Sequence, residues 1–327
     1  MKSLDFSRYV LSGCAAAAML VACGGSQPPI GVPGAIPKTS ASAAHVERNG
    51  SWVLPETKSD DLLYVANASG DYNDVTVYHA KGKDPSPIEV ISNGLNAPIS
   101  DCLDGDGTLY VLNEPAGLGW VSEYPAGKTK PSKVITRGIN TPAFCAIDIN
   151  GNLWVTNIGG QNVTEYEKGS TMPHTIITKG LFYPDGIAID SSGNMYVANH
   201  FTESSGPANV VVYSSGSRSP NRTITDGVVS PVGITVDADR TLYVTNVTEN
   251  NVKEYRYGQS QPFQSITDSM DEPVAATVDG KEYLYVSNLA SNVIVEFPRG
   301  STTPSRREIS QGLHTPVGTA YFPPVVP

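Results

Sequence analysis

From Leu63 onward, short apolar runs recur along the chain at regular intervals, separated by breaks rich in Gly, Pro, Ser and Asp. One run, aliphatic-aromatic-Val-x-Asn, occurs six times: Leu63–Asn67, Leu109–Asn113, Leu153–Asn157, Met195–Asn199, Leu242–Asn246 and Leu284–Asn288. The spacings between successive Asn residues are 46, 44, 42, 47 and 42, which marks an internal repeat rather than chance recurrence. Three further segments keep a fixed order around each motif. Before it lies a Pro-led apolar segment ending in Asp, as in Pro184-Asp185-Gly186-Ile187-Ala188-Ile189-Asp190, followed by a turn such as Ser191-Ser192-Gly193-Asn194. After it comes an aliphatic-x-x-aromatic strand, from Val75–Tyr78 in the first repeat to Ile294–Phe297 in the last, and then a more polar strand such as Lys133–Thr136 or Arg222–Thr225.

Four short strands in a unit of about 44 residues is the size of a propeller blade. The polarity gradient within the unit agrees. The Pro-led strand is rich in Gly and Ala, as crowding near an axis requires. The Leu-Tyr-Val strand is apolar on both faces because neighbouring blades cover it, and the last strand carries charge and Thr at a wetted outer edge. A parallel β-helix is the solenoid alternative, but its coil is shorter and needs no such gradient. The ends predict closure: no Pro-led strand precedes Leu63, whereas Pro316–Phe322 follows the sixth unit without a blade of its own. That segment should supply the inner strand of the first blade, leaving no open edge. The expected fold is thus all-β, a six-bladed propeller of four-stranded antiparallel blades over residues 61–327.

The first sixty residues follow another pattern. Met1-Lys2 and Arg8 precede an apolar stretch through Ala15–Ala18 to Met19-Leu20-Val21-Ala22-Cys23, which reads as a secretory signal over residues 1–22. The run is short for a membrane span. Leu20-Val21-Ala22-Cys23 resembles a lipobox, which implies lipidation of Cys23; Leu11-Ser12-Gly13-Cys14 is a second match, too close to the basic start. Residues 23–60 are rich in Gly, Pro, Ser and Ala and read as a flexible tether, with Trp52-Val53-Leu54 as an apolar exception that could dock on the domain. Gly24-Gly25 lacks the Asp that marks inner-membrane retention in lipoproteins resembling this one, so an outer-membrane, periplasmic or surface position is expected. The formal net charge of −10, with no Lys/Arg cluster, excludes a nucleic-acid role and confines membrane contact to the lipid anchor.

The stretch from Pro184 to Asn199 resembles an NHL repeat, and the resemblance extends over residues 61–322. It implies a six-bladed scaffold, also found in gluconolactonase/regucalcin-type hydrolases and streptogramin lyases; fold does not choose among those roles. Pro184-Asp185-Gly186 falls where the gluconolactonase-type proteins often have Pro-Asn-Gly, but their matching Glu is not identifiable. The Trp-Phe-Thr-Glu type strand of the lyases is missing too, the nearest equivalent, Leu153–Asn157, ending in Asn.

In an up-and-down blade the motif Asn and the residues flanking the strand-leading proline emerge on one face. Polar candidates at that channel mouth are Asp101, Glu114, Asp185, His200, Glu272 and His314. The Asn ring itself reads as turn-bonding structure. Glu114, Asp185 and His200 include the residue types for a divalent metal ion, though no short-range ligand spacing supports the set. Asp104-Gly105-Asp106-Gly107 and Asp148-Ile149-Asn150-Gly151 read as turns rather than calcium loops. Cys102 and Cys145 lie two and three places before the ends of neighbouring inner strands, so they either face each other across one blade interface or point apart; an oxidising compartment permits a disulfide in the first case. The functional expectation is a monomeric module binding a small molecule or a protein, without catalytic residues. A metal-dependent lactonase-like hydrolase with its site at the mouth is the alternative, and a purely structural envelope component a third.

Overall fold

The computed structural model describes residues 61–69, 72–200, 207–305 and 307–324. The signal, the tether and Cys23 lie outside the described residues. Those described form six four-stranded antiparallel sheets arranged as blades. Blade 4 shows the pattern: inner strand Pro184–Ile189, second strand Met195–Asn199, third strand Asn209–Tyr213 and outer strand Arg222–Ile224. Each of the six motifs lies on a second strand. The C-terminal strand Pro316–Phe322 pairs antiparallel with Leu62–Ser69, Leu63 opposite Tyr321 and Val65 opposite Thr319, so the end of the chain completes blade 1.

Small residues on the inner strands follow from crowding at the axis. A Cβ at Gly233 would sit 2.5 Å from the Val274 carbonyl oxygen of the next blade, so that position admits no side chain without moving backbone. Between blades the core is aliphatic and aromatic. The cluster joining blades 2 and 3, for example, packs Tyr110, Leu112 and Val121 against Leu153, Val155 and Tyr166.

The same cluster contains Cys102 and Cys145, which form a disulfide with a Cα–Cα distance of 6.0 Å. Of the two arrangements open from sequence, the facing one is realised, and it staples the inner strands of blades 2 and 3.

The outer ends of four of the six seams are crossed by long side chains at the start of the outer strands. Lys133 bonds Glu123 at 3.0 Å and the Gly169 carbonyl of the next blade at 3.2 Å. Arg222 reaches the Gln259 carbonyl, Gln264 the Gly300 carbonyl and Arg307 the His79 carbonyl, each one blade on. Blade 1 has Glu89 at this position, which accepts the Val90 N–H, and blade 3 has Thr175, opposite Glu165 and too short to cross.

Candidate functional site

Each motif Asn is fully buried and anchors the connection entering its own blade. The side-chain oxygens of Asn113, Asn157, Asn199, Asn246 and Asn288 each accept the backbone N–H of the residue 17 positions earlier, at 2.8–3.3 Å. Asn67 accepts the N–H of His314 at 3.0 Å, which repeats the clamp across the closure. The amide nitrogens donate into the same connections, as from Asn199 to the Gly180 carbonyl and from Asn246 to that of Gly227. The Asn ring is thus a set of six clamps, the structural role its repetition implies. A second tether comes from the third strand, where the hydroxyls of Tyr78, Tyr124, Tyr166, Tyr213 and Tyr255 donate to carbonyls of these connections.

At the other ends of the inner strands, Asp104, Asp148, Asp190 and Asp279 accept backbone N–H groups two and four residues on, and Asp237 the one four on. In these Asx turns one carboxylate oxygen gathers the backbone N–H groups, as the turn reading of Asp104–Gly107 and Asp148–Gly151 implies.

Of the six candidate residues, two are in contact. Asp185 and His200 come together: Asp185 Oδ2 lies 3.8 Å from His200 Nδ1, and that nitrogen is 3.0 Å from the Pro231 carbonyl of blade 5. A carbonyl only accepts, so Nδ1 carries the hydrogen. Asp185 holds the place taken by Val232, Val274 and Val317 in blades 5, 6 and 1, which are buried in one cluster with Val247 and Leu289. Removal from water within such a ring pushes the Asp185 carboxyl up to about 8, so it is largely protonated near neutrality. Glu114 occupies in blade 2 the place of His200 in blade 4; it accepts the Gly117 N–H at 2.6 Å, and burial raises its pKa. Glu272 and His314 lie on the connections, part-buried, and His314 stacks on Tyr72 with ring centroids 3.6 Å apart.

Asp101 departs from its expected place at the mouth. It lies three residues into its inner strand, and its carboxyl points between blades 1 and 2, against Gly318. Neither oxygen has a hydrogen-bond partner, and burial holds the group well above the usual carboxylate range. Strand alternation turned it into the seam because Cys102, the next residue, faces blade 3. Among the described residues no three His, Cys, Asp or Glu side chains converge on a point where a metal ion could bind. The set of Glu114, Asp185 and His200 is therefore reduced to the last two.

Three of the cavities are lined wholly by described residues. One, of about 160 Å³, follows the axis and is lined by Asp101, Phe144, Thr235 and Tyr321 among others. The other two lie on the Asp-turn side, one of about 380 Å³ at blades 3 and 4 and one of about 200 Å³ over blades 2, 3 and 4. None is lined by Glu114, Asp185, His200, Glu272 or His314.

No protein-family model and no curated protein matches the chain. Solved structures do. A nidogen/laminin complex structure contains a chain matched with a TM-score of 0.67 and 16% identity, covering 80% of this chain and 97% of that one. Hydrazine synthase of Kuenenia stuttgartiensis matches with a TM-score of 0.54 and 17% identity, covering 71% and 72%. At such identity the likeness extends to the six-bladed fold alone.

Proposed function

We propose that this chain is a lipid-anchored, extracytoplasmic NHL-like propeller that docks a protein partner on its Asn-clamped face. The observation that carries the reading is the combination of clamped connections with exposed apolar side chains on that face. Tyr72 is 45% exposed, Val229 50% and Leu118 72%; the Val229 N–H is held by Asn246, Tyr72 stacks on His314, and Leu118 follows Gly117, whose N–H Glu114 accepts. Apolar groups held on a rigid frame lose little entropy on docking, and large ones dominate interface energies. One similar structure is that of a complex, nidogen with laminin, which supports a ring of this shape serving in an assembly. The Cys102–Cys145 bond supports an oxidising compartment, and the Cys23 motif supports the anchor.

Two experiments test the two halves. Labelled palmitate should be incorporated by the full chain and not by Cys23→Ser; equal labelling of both removes the anchor. A photo-crosslinking residue at Leu118 should give a discrete adduct in cells, whereas one at Ile149, on the opposite face, should not. Adducts from neither position, or from Ile149 alone, overturn the docking face. Stoichiometric divalent ion in the purified chain, with lactone hydrolysis lost in Asp185→Ala, would instead favour the metal-dependent hydrolase.

A further inference from the structure

The seam between blades 3 and 4 is built differently from those crossed by Lys133, Arg222, Gln264 and Arg307. Thr175 replaces the long side chain, and the vacated space is the cavity of about 380 Å³. Its neighbour of about 200 Å³ shares Asp148, Ile149, Asn150, Ile189 and Ser191 with it, so the two adjoin along a furrow whose second part reaches Pro324.

The furrow's chemistry is specific. Trp154 stands where the other five blades carry Tyr, and it is half-buried where those tyrosines are buried. Its Nε1 donates to Asp148 Oδ2 at 3.1 Å, which fixes the indole. Asn152 donates to Asp148 at 3.1 Å and to Glu165 at 3.4 Å, holding both carboxylates along the same wall. Glu165 has no cation opposite it, unlike Glu123 with Lys133 and Glu296 with Arg307. From the blade 4 side the exposed Arg218 faces the furrow and makes no hydrogen bond or ion pair among the described residues.

We propose that this furrow binds a sugar chain, with one pyranose ring laid against Trp154. A pyranose presents an apolar C–H face, suited to an aromatic plate. It also has a rim of hydroxyls that each donate and accept, which calls for a mixed set of carboxylate acceptors, guanidinium donors and amides. Glu165, Arg218 and the Asn150 amide supply that mixture around the indole. Asp148 and Glu165 offset Arg218, so the wall carries no large excess of either sign and does not favour an anion. A cavity of several hundred Å³ is the scale of a small-molecule site, and its continuation into the second cavity suits more than one ring. The site lies on the face opposite the proposed docking surface and is independent of it.

The test is calorimetry and saturation-transfer NMR on the purified full chain with a probe set of glucose, galactose, mannose, N-acetylglucosamine, rhamnose and glucuronate, and with glycylglycine as a zwitterionic control. At least one sugar should bind, and Trp154→Ala and Arg218→Ala should each weaken it by roughly tenfold or more. Thr175→Arg restores the crossing side chain seen in other seams and gives Glu165 a cation. It should abolish binding while keeping the thermal midpoint at or above that of the parent chain. No response to any sugar, response to glycylglycine alone, or sugar binding that survives Thr175→Arg would each overturn the assignment.

Discussion

The seam between blades 2 and 3 and the seam between blades 3 and 4 flank the same blade, yet one is closed and the other open. The first is closed at three depths. The Cys102–Cys145 disulfide holds its inner strands, Lys133 crosses its outer part to Gly169, and on the Asp-turn side Lys168 bonds Asp106 at 2.5 Å. In the second, Thr175 stops short, Trp154 replaces Tyr, and a furrow remains. Both keep the clamps of Asn157 and Asn199 at their upper ends. The groups that define the fold are thus common to all blades, while the groups that differ between repeats decide where the ring has room for a ligand.

Breaking the closed seam should have the largest effect. The disulfide spans a sequence separation of 43, and a loop of that size corresponds to about 4 kcal/mol of lost unfolded-state entropy in the chain-entropy model. Replacing both cysteines by Ser, or unfolding under reductant, should lower the urea-unfolding free energy by an amount of that order. Titratable thiols at Cys102 and Cys145 in the untreated, unfolded protein, or an unchanged midpoint after reduction, would contradict the staple. The clamp shared by every blade comes next. Asn113→Ala leaves the Asn96 N–H without its acceptor and removes a donor from Ser122 and the Val111 carbonyl, costing roughly 2–3 kcal/mol. Tyr124→Phe, which removes only the bond to the Asn93 carbonyl, should cost about 1 kcal/mol; Phe297 already does without a hydroxyl at this position of blade 6. Equal losses from the two variants would deny the Asn its special place.

The ring was legible from sequence because burial repeats: each blade must present small residues to the axis and apolar ones to both neighbours, so the pattern recurs six times. Closure by Pro316–Phe322 could be read from an unmatched strand at one end and a missing one at the other. The candidate site was less legible. Asp185 and His200 come together because both flank the paired Pro184 and Asn199, whereas the side to which Asp101 turns depends on how its strand sits between two blades. The furrow was less legible still, since its signal is a departure from the repeat: Thr175 where four blades have Lys133, Arg222, Gln264 and Arg307 and blade 1 has Glu89, and Trp154 among tyrosines. Aligning the blades column by column and asking where one breaks rank would have pointed to it. Repetition reports the fold, and its exceptions report chemistry.

A third seam, between blades 5 and 6, sharpens the comparison at smaller scale. Its crossing residue is neutral: Gln264 donates to Glu254 at 3.0 Å where Lys133 and Arg307 offer a charge to Glu123 and Glu296. Burial pushes the Glu254 carboxyl up to about 7, with the Gln264 bond only partly opposing it. A carboxyl whose folded pKa is raised costs nothing below its unfolded value near 4.5. The cost grows as pH rises from there to about 7 and is complete above that. Gln264→Lys should relieve it by installing the charge found in the other seams. The variant should therefore match the parent chain at pH 4.5 and exceed it by about 1–2 kcal/mol at pH 8, read from urea unfolding at the two pH values. A gain of the same size at both would mean that the lysine acts by packing alone, and that charge does not distinguish these seams.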